Sequence, residues 1–257
     1  MEEKQLLRTE IVDNIAVLTL DNPPLNLLTI PLMEQLRTAV LTLPKDKNLR
    51  AIVLTAEGER SFSAGFDTRH PSGMPKGGNG SYGQMAMNAI ENCPLPIIAA
   101  VNGYAFGGGL ELSLACDIRI AAEEAQLGLT EANLGLIAGW GGMTRLPLLI
   151  GEGNAKLMFY TAARLSGQEA KEIGLVQKVV PREQLMDTAM ELARLIATKA
   201  PLSIAGAKKV IHSSRQATLG AGLITEMEQN TICASSKDVG EGVRALKEKR
   251  APHFNNE

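Results

Sequence analysis

VNGYAFGGGLEL, residues 101–112, joins an apolar strand to an apolar helix through three consecutive glycines. Glycines at such a turn indicate that another group approaches the backbone closely. The unpaired N–H groups at the start of the helix suit an anion or a developing negative charge. Glu111 follows among apolar residues, where a carboxylate costs free energy unless it is paired or functional. On this stretch alone, Glu111 could also face water and simply favour the helix dipole.

The composition indicates a globular protein with a sizeable core. The chain has 257 residues, of which 45% are hydrophobic. Its net charge is −2 and it has no long run of Lys or Arg, so we expect no nucleic-acid or membrane partner. Three widely spaced cysteines fit neither a disulfide framework nor a zinc motif. Without a signal peptide or an apolar run of membrane-spanning length, we expect a soluble cytoplasmic protein.

The predicted elements alternate between strands and helices over the first half of the chain. Two strands joined at Asp13-Asn14 form a hairpin, and Thr29 caps the first helix. The alternation that follows predicts an α/β class with parallel pairing. After Gly139 the predicted elements are helices, apart from a strand at 176–180. We therefore expect an α/β core at residues 1–190 and a helical segment at 191–257.

A second glycine turn and a second acid complete a predicted site. The turns at 64–66 and 107–109 each follow a predicted parallel strand. The carboxyl ends of neighbouring parallel strands meet on one side of a sheet, so two backbone N–H groups could converge there as an oxyanion hole. Glu131, flanked by apolar residues, follows a short predicted strand at 126–128. Two sequestered carboxylates beside an oxyanion hole suit proton transfer next to a carbonyl group.

Several other chemistries are excluded by spacing. The glycine run lacks the G-x-G-x-x-G pattern of dinucleotide folds and the Lys-Ser/Thr pair of phosphate-binding loops, and no G-x-S-x-G elbow occurs. His70, His212 and His253 do not cluster with acids, so we predict no metal site and no cofactor. His70 lies in a long glycine- and proline-rich loop from which it could reach a ligand. We expect His212 at a surface or an interface.

Further motifs show a family resemblance that extends over nearly the whole chain. In chain order they are NPPLN at 22–26, FSAGFD at 62–67, AAVNGYAFGGGLEL at 99–112, ACDIR at 115–119, GWGG at 139–142 with Arg145-Leu146, and EKR at 248–250. Together they resemble the crotonase superfamily, specifically its enoyl-CoA hydratase branch. The resemblance implies an α/β fold, a crotonase (ClpP-like) spiral of ββα units, with a helical C-terminal oligomerisation segment.

The resemblance also implies roles for particular residues. It places the oxyanion-hole N–H groups on Phe66 and Gly108, and the two catalytic glutamates at Glu111 and Glu131. It places the CoA moiety along the first turn, with Ala64, Asp67, Thr68 and Arg69 as contacts. Gly139 matches a backbone position near the catalytic water. Trp140 is a candidate for the acyl pocket, with packing between helices as the alternative.

Four departures from the family pattern concern the acyl group. Leu129-Thr130 stands where Gln-Pro is common, Ala138 where Pro is usual, Met143 where Thr is common, and Phe66 where Ala is usual. They leave the mechanism in place and put the acyl specificity in question. No chain length, branching or pathway can be assigned from the sequence.

The activity implied by the resemblance is that of an enoyl-CoA hydratase in fatty acid metabolism and β-oxidation, acting on an acyl-CoA thioester. The alternatives are another crotonase reaction, such as enoyl-CoA isomerisation or acyl-CoA dehydration, or a non-catalytic scaffold or RNA-binding member of the fold. Two acids at hydratase spacing favour hydration over isomerisation. The resemblance further implies a homotrimer or a homohexamer built as a dimer of trimers.

Overall fold

A computed structural model describes residues 4–67, 80–216 and 219–257. The strands are β1 (Leu7–Val12), β2 (Ile15–Leu20), β3 (Ala51–Ala56), β4 (Ser61–Ser63), β5 (Ile97–Val101), β6 (Tyr104–Phe106), β7 (Ile118–Ala122), β8 (Gln126–Gly128), β9 (Leu165–Ser166) and β10 (Lys178–Val180). The α-helices are α1 (Ile30–Thr42), α2 (Gly80–Glu91), α3 (Gly108–Ala115), α4 (Gly142–Ile150), α5 (Glu152–Tyr160), α6 (Gly167–Glu172), α7 (Arg182–Ala197), α8 (Pro201–Gln216), α9 (Leu219–Ala234) and α10 (Lys237–Glu248). Short 3₁₀ helices cover Leu43–Lys45 and Glu131–Leu134.

A six-stranded sheet forms the centre of the fold, in the order β1-β2-β3-β5-β7-β10. β1 and β2 are the predicted antiparallel hairpin, and Asp13 and Asn14 both have the positive φ that a tight primed turn requires. From β2 onwards every neighbouring pair is parallel. Every residue of β3 and β5 is buried, which explains their continuous apolar sequences. The predicted hairpin and parallel core are confirmed.

A second sheet has the strand order β4-β6-β8-β9, and of its short strands only β8, at 126–128, was predicted from the sequence. Each strand has two or three residues, which is too short to show a period. β3, β5 and β7 are each followed directly by β4, β6 and β8, and β4 and β6 then lead into the helices α2 and α3. This repeated ββα unit confirms the expected fold class.

The predicted boundary at residues 190/191 falls inside α7. The buried side chains of this helix, which include Leu185, Ala189 and Ala193, pack on the six-stranded sheet. α8 and α9 pack against each other further along the chain, followed by α10. The division of the chain into two parts stays a prediction. Within the described ranges, no helix is both long enough and apolar enough to cross a membrane.

Candidate active site

The three stretches that the sequence singled out meet at one edge of the second sheet. β4 and β8 both pair in parallel with β6, so the carboxyl ends of all three strands lie together. The 64–66 turn follows β4, the glycine run follows β6, and Glu131 lies shortly after β8. The two glycine turns therefore follow the short strands β4 and β6 and not longer strands, whereas Glu131 follows β8, the short strand predicted at 126–128.

The two glycine turns touch each other. A Cβ atom added to Gly65, whose φ is +98°, would lie 2.9 Å from the Phe106 carbonyl oxygen and 3.4 Å from the Gly108 nitrogen. Only glycine allows this approach, because the φ angle and the contact both disfavour a side chain.

The backbone around Phe66 is held by a bridge to Leu28. The Leu28 N–H donates to the Gly65 carbonyl (2.8 Å), and the Asp67 N–H donates to the Leu28 carbonyl (3.1 Å). This pairing does not use the Phe66 N–H. Gly108 is the first residue of α3, where an N–H has no acceptor inside its own helix. Both predicted oxyanion donors are therefore free of the bonds that hold their turns.

Glu111 is buried within α3, a helix whose eight residues are all buried. Its Oε1 accepts hydrogen bonds from the N–H groups of Trp140 (2.6 Å) and Gly142 (2.8 Å). Burial raises the pKa of Glu111 to about 7, although the two hydrogen bonds act to lower it. The charge of Glu131 contributes to this rise in the pKa of Glu111. The solvent-facing alternative for Glu111 is wrong.

Glu131 begins the 3₁₀ helix Glu131–Leu134 and leans against the glycine run. A Cβ on Gly107 would lie 2.9 Å from Glu131 Oε1. Its Oε2 is buried and has no hydrogen-bond partner within the described part of the chain. Burial raises the pKa of Glu131, opposed by the hydrogen bond from its own N–H. Both carboxyl groups are therefore shifted toward the protonated form.

The Trp140 indole lies against two glycines. Side chains added to Gly83 in α2 and to Gly108 in α3 would overlap the ring at 2.1 Å and 2.5 Å. Phe66 meets the same ring edge-on, with centroids 5.7 Å apart. Trp140 thus packs between helices and also borders the Phe66 turn. Gly139, one residue earlier, is exposed to solvent.

The predicted CoA contacts are only partly described. Ala64 is half-buried, with its N–H donating to the Leu25 carbonyl (2.9 Å), and Asp67 is half-buried beside it. Thr68, Arg69 and His70 lie outside the described residues. His212 is half-buried, 4.0 Å from Asp117, so it contacts a neighbouring helix end instead of the two glutamates.

The sequence analysis missed the turn that binds Glu111. Besides donating its N–H, Gly142 has no room for a side chain, because an added Cβ would lie 2.9 Å from Glu111 Cγ. The signal was present in the sequence: Gly141-Gly142 are consecutive glycines at the start of a helix, as Gly107-Gly108-Gly109 are. Gly83, against which the Trp140 ring packs, had no such signal because it lies inside a helix.

A spiral of ββα units with two touching glycine turns, a buried Glu111 and a half-buried Glu131 places the molecule among the crotonase-type α/β proteins. A family model described as enoyl-CoA hydratase/isomerase matches residues 10–257. The chain belongs to this family, within the crotonase superfamily.

Individual relatives span the same length as this chain. The crotonyl-CoA hydratase of Syntrophomonas wolfei is 36% identical, covering 94% of this chain and 95% of its own. The short-chain-enoyl-CoA hydratase of Clostridium acetobutylicum is 37% identical, covering 92% of each chain. The crystal structure of an enoyl-CoA hydratase from Bacillus anthracis is 41% identical with a TM-score of 0.95, covering 98% of this chain and 100% of that one.

Proposed function

We propose that this protein is an enoyl-CoA hydratase, a hydro-lyase that reversibly adds water to the double bond of a 2-enoyl-CoA thioester. The observation that carries the proposal is the pairing of Glu111 with Glu131 beside the two touching glycine turns. Relatives named as hydratases at 36% and 37% identity support it.

The thioester carbonyl is the group that the turns stabilise. Its oxygen accepts hydrogen bonds from the N–H groups of Phe66 and Gly108. As water adds to the β-carbon, electron density moves onto this oxygen, and the two donors stabilise the enolate-like transition state. Removing one such donor costs about 3 kcal/mol in other enzymes.

The two glutamates divide the proton transfers. Two N–H donors support the ionised form of Glu111. Glu111 takes a proton from the water while the water oxygen bonds to the β-carbon. Glu131, whose buried Oε2 has no partner in the described chain to support a negative charge, gives its proton to the α-carbon. Loss of the proton from Glu111 and return of a proton to Glu131 complete the cycle.

The remaining predicted residues surround this centre. Ala64 and Asp67 contact the CoA moiety together with Thr68 and Arg69. Gly139 contributes a backbone group near the water, and Trp140 with Phe66 bounds the acyl group. Because the Trp140 ring lies against Gly108 and the Phe66 ring packs on Trp140, the two rings favour a compact acyl chain.

The direct test is turnover of crotonyl-CoA by the purified protein, with separate detection of 3-hydroxyacyl-CoA and of a 3-enoyl isomer. We expect the hydroxyacyl product, and its loss in the Glu111→Gln/Glu131→Gln double variant. Double-bond isomerisation needs only one group to shuttle a proton. Detection of a 3-enoyl product in place of 3-hydroxyacyl-CoA would therefore make the protein an isomerase and overturn the proposed hydratase activity. A panel of short, long, branched and cyclic enoyl-CoAs would then define the acyl group.

Assembly into trimers that pair as hexamers is also part of the proposal. Large apolar side chains are exposed on the C-terminal helices, among them Leu223, Ile224, Met227, Val243 and Leu246. Such a surface suits burial against other subunits. A monomeric mass in light scattering would contradict the proposed assembly. The three cysteines are free, which fits the reducing cytoplasm, where we place the enzyme. The resemblance suggests fatty acid β-oxidation as its pathway.

A further inference from the structure

A continuous series of contacts runs from Glu111 to the far end of α2. Glu111 Oε1 accepts a hydrogen bond from the Trp140 N–H, and the Trp140 carbonyl accepts one from Arg145 Nη1 (3.0 Å). Arg145 Nη2 donates to Glu91 Oε2 (2.6 Å) and to Asn88 Oδ1 (3.0 Å). The Arg145 and Glu91 side chains are only 10% and 16% exposed, so solvent screens this pair little.

The 140–142 turn lies between the carboxylate and the guanidinium. A Cβ on Gly142 would meet Glu111, and a Cβ on Gly141 would lie 1.9 Å from Arg145 Nη1. Consecutive glycines thus let both charged groups approach the backbone from different sides. Gly141 also has a φ of +105°, which other residues rarely adopt.

We propose that Arg145 is a positioning residue for Glu111: by binding the Trp140 carbonyl while anchored on α2, it fixes the turn whose two N–H groups hold the Glu111 carboxylate. The inference rests on the proposed function for its catalytic meaning. Arg145 acts through the peptide backbone and contacts neither the substrate nor the water.

The charged groups around Glu111 and Arg145 determine in which direction the pKa of Glu111 changes when Arg145 is replaced. Glu131 faces Glu111 from the 3₁₀ helix and raises its pKa, whereas Arg145 faces it from α4 and lowers its pKa. Glu91 faces Arg145 from α2. Although burial acts to raise the pKa of Glu91, the hydrogen bond and charge of Arg145 lower it, helped by His212 and Arg215 of α8. Without Arg145 the two N–H donors lose their support and a positive charge is lost, so the pKa of Glu111 rises above about 7.

Two variants separate positioning from charge. Arg145→Met removes both the hydrogen bonds and the charge. Arg145→Lys keeps the charge but cannot donate as a planar fork to several acceptors at once. We expect both to move the acid limb of the crotonyl-CoA pH profile upward, by about one pH unit for Met. We also expect kcat to fall about tenfold while KM changes little.

A direct titration of Glu111 makes the test independent of turnover. Infrared difference spectra of the substrate-free enzyme, with the spectrum of Glu111→Gln subtracted, report protonation of this carboxyl group. We expect the same upward shift in both Arg145 variants. If the Arg145 variants show this shift in the Glu111 titration relative to the wild type, but the wild type hydrates no enoyl-CoA, the proposed function fails while the positioning role stands.

Lys208→Met is the matched control, because Lys208 forms a buried pair with Asp117 (2.8 Å) that has no bond to the 140–142 turn. We expect this variant to lower the melting temperature and to leave the titration of Glu111 in place. A shift in Lys208→Met as large as that in Arg145→Met would make the effect one of general destabilisation and overturn the proposal. An unmoved titration in folded Arg145→Lys would also overturn it, whether or not Arg145→Met folds, because charge or general structure would then account for the effect.

Discussion

Glu111 and Glu131 lie close enough to influence each other, but the two regions that hold them are built differently. Glu111 belongs to α3, where every residue is buried, and two backbone N–H groups bind one of its oxygens. Glu131 begins a single 3₁₀ turn whose next three residues are exposed, and its buried Oε2 has no partner among the described residues. Burial raises both pKa values, but only Glu111 has hydrogen bonds to other residues that favour its ionised form.

This difference bears on the proposed roles of the two glutamates, of which the resemblance makes Glu131 the donor of the proton to the α-carbon. Two titratable groups in different surroundings separate into an acid and a base. The two N–H donors favour the ionised form of Glu111 and so suit the proposed role of this residue as the base, even though burial raises its pKa to about 7. The proposed role of Glu131 as the acid rests on the resemblance, and burial raises its pKa as well. The following predictions test how far this contrast between the α3 region and the 3₁₀ region holds.

The largest expected effect is on turnover. Glu131→Gln leaves no group to protonate the α-carbon, and we expect kcat to fall by about 10³- to 10⁴-fold. Glu111→Gln keeps an oxygen that accepts from the two N–H groups and can hold the water, so we expect a loss of about 10²- to 10³-fold. Steady-state hydration of crotonyl-CoA measures both.

The control is Glu191→Gln, which changes an exposed glutamate of α7 and should retain full activity. A larger loss in Glu111→Gln than in Glu131→Gln would reverse the acid and base assignments.

The next effect is on stability and depends on pH. A carboxyl group whose pKa is higher in the folded state favours folding below its unfolded value of 4.5, and this contribution is lost as the pH rises toward about 7. Glu111→Gln should therefore be more stable than the wild type at pH 8, by about 3 kcal/mol. At pH 5 the difference should fall below about 1 kcal/mol.

Urea unfolding at fixed protein concentration measures this difference. Glu131→Gln should show the same sign and a smaller gain, because Glu131 is less buried. A Glu111→Gln variant that is less stable than the wild type at pH 8 would show that the N–H bonds outweigh the cost of burial.

A smaller effect concerns the turn that binds Glu111. Gly142→Ala adds a Cβ 2.9 Å from Glu111 Cγ, so the carboxylate or the turn must move. We expect kcat to fall about tenfold. Gly153→Ala in α5 is the control, since a Cβ there meets no described residue within 4 Å and should leave kcat unchanged. Equal activity in the two variants would mean that the turn adjusts without cost.

The sequence predicted what is local in this fold. The hairpin turn at Asp13-Asn14 and the Thr29 cap, whose side chain accepts from the Leu32 N–H (3.3 Å), depend on neighbouring residues. The buried strands β3 and β5 and the helix α3 have apolar runs long enough to be recognised in the sequence. The counterparts of Glu111, the 64–66 turn and Glu131, were also predicted from the residues, and the resemblance gave them roles. The structure brings them to one edge of the second sheet.

What the sequence could not give depends on contacts between distant segments. The strands of the second sheet are too short for a pattern and only β8 was predicted, although the ends of β4, β6 and β8 position the two glycine turns and Glu131. Asn26 shows the same limit: it is fully buried, and its amide donates to the carbonyls of Glu57 and Ser61, far along the chain. The pairing of Arg145 with Glu91 likewise joins α4 to α2 and leaves no local signal.

The smallest expected effect, that of Leu134→Ala, is compared with that of the same substitution at Leu110. Leu110 precedes Glu111 and is fully buried, whereas Leu134, three residues after Glu131, is 67% exposed. Leu110→Ala should cost about 2–5 kcal/mol of unfolding free energy, through lost burial and a cavity. Leu134→Ala should change it by less than about 0.5 kcal/mol, because it removes few contacts. Urea unfolding of both variants at one protein concentration makes the comparison. A cost above about 1 kcal/mol for Leu134→Ala would mean that its side chain is covered in the assembled protein, and that the region around Glu131 is completed by another subunit.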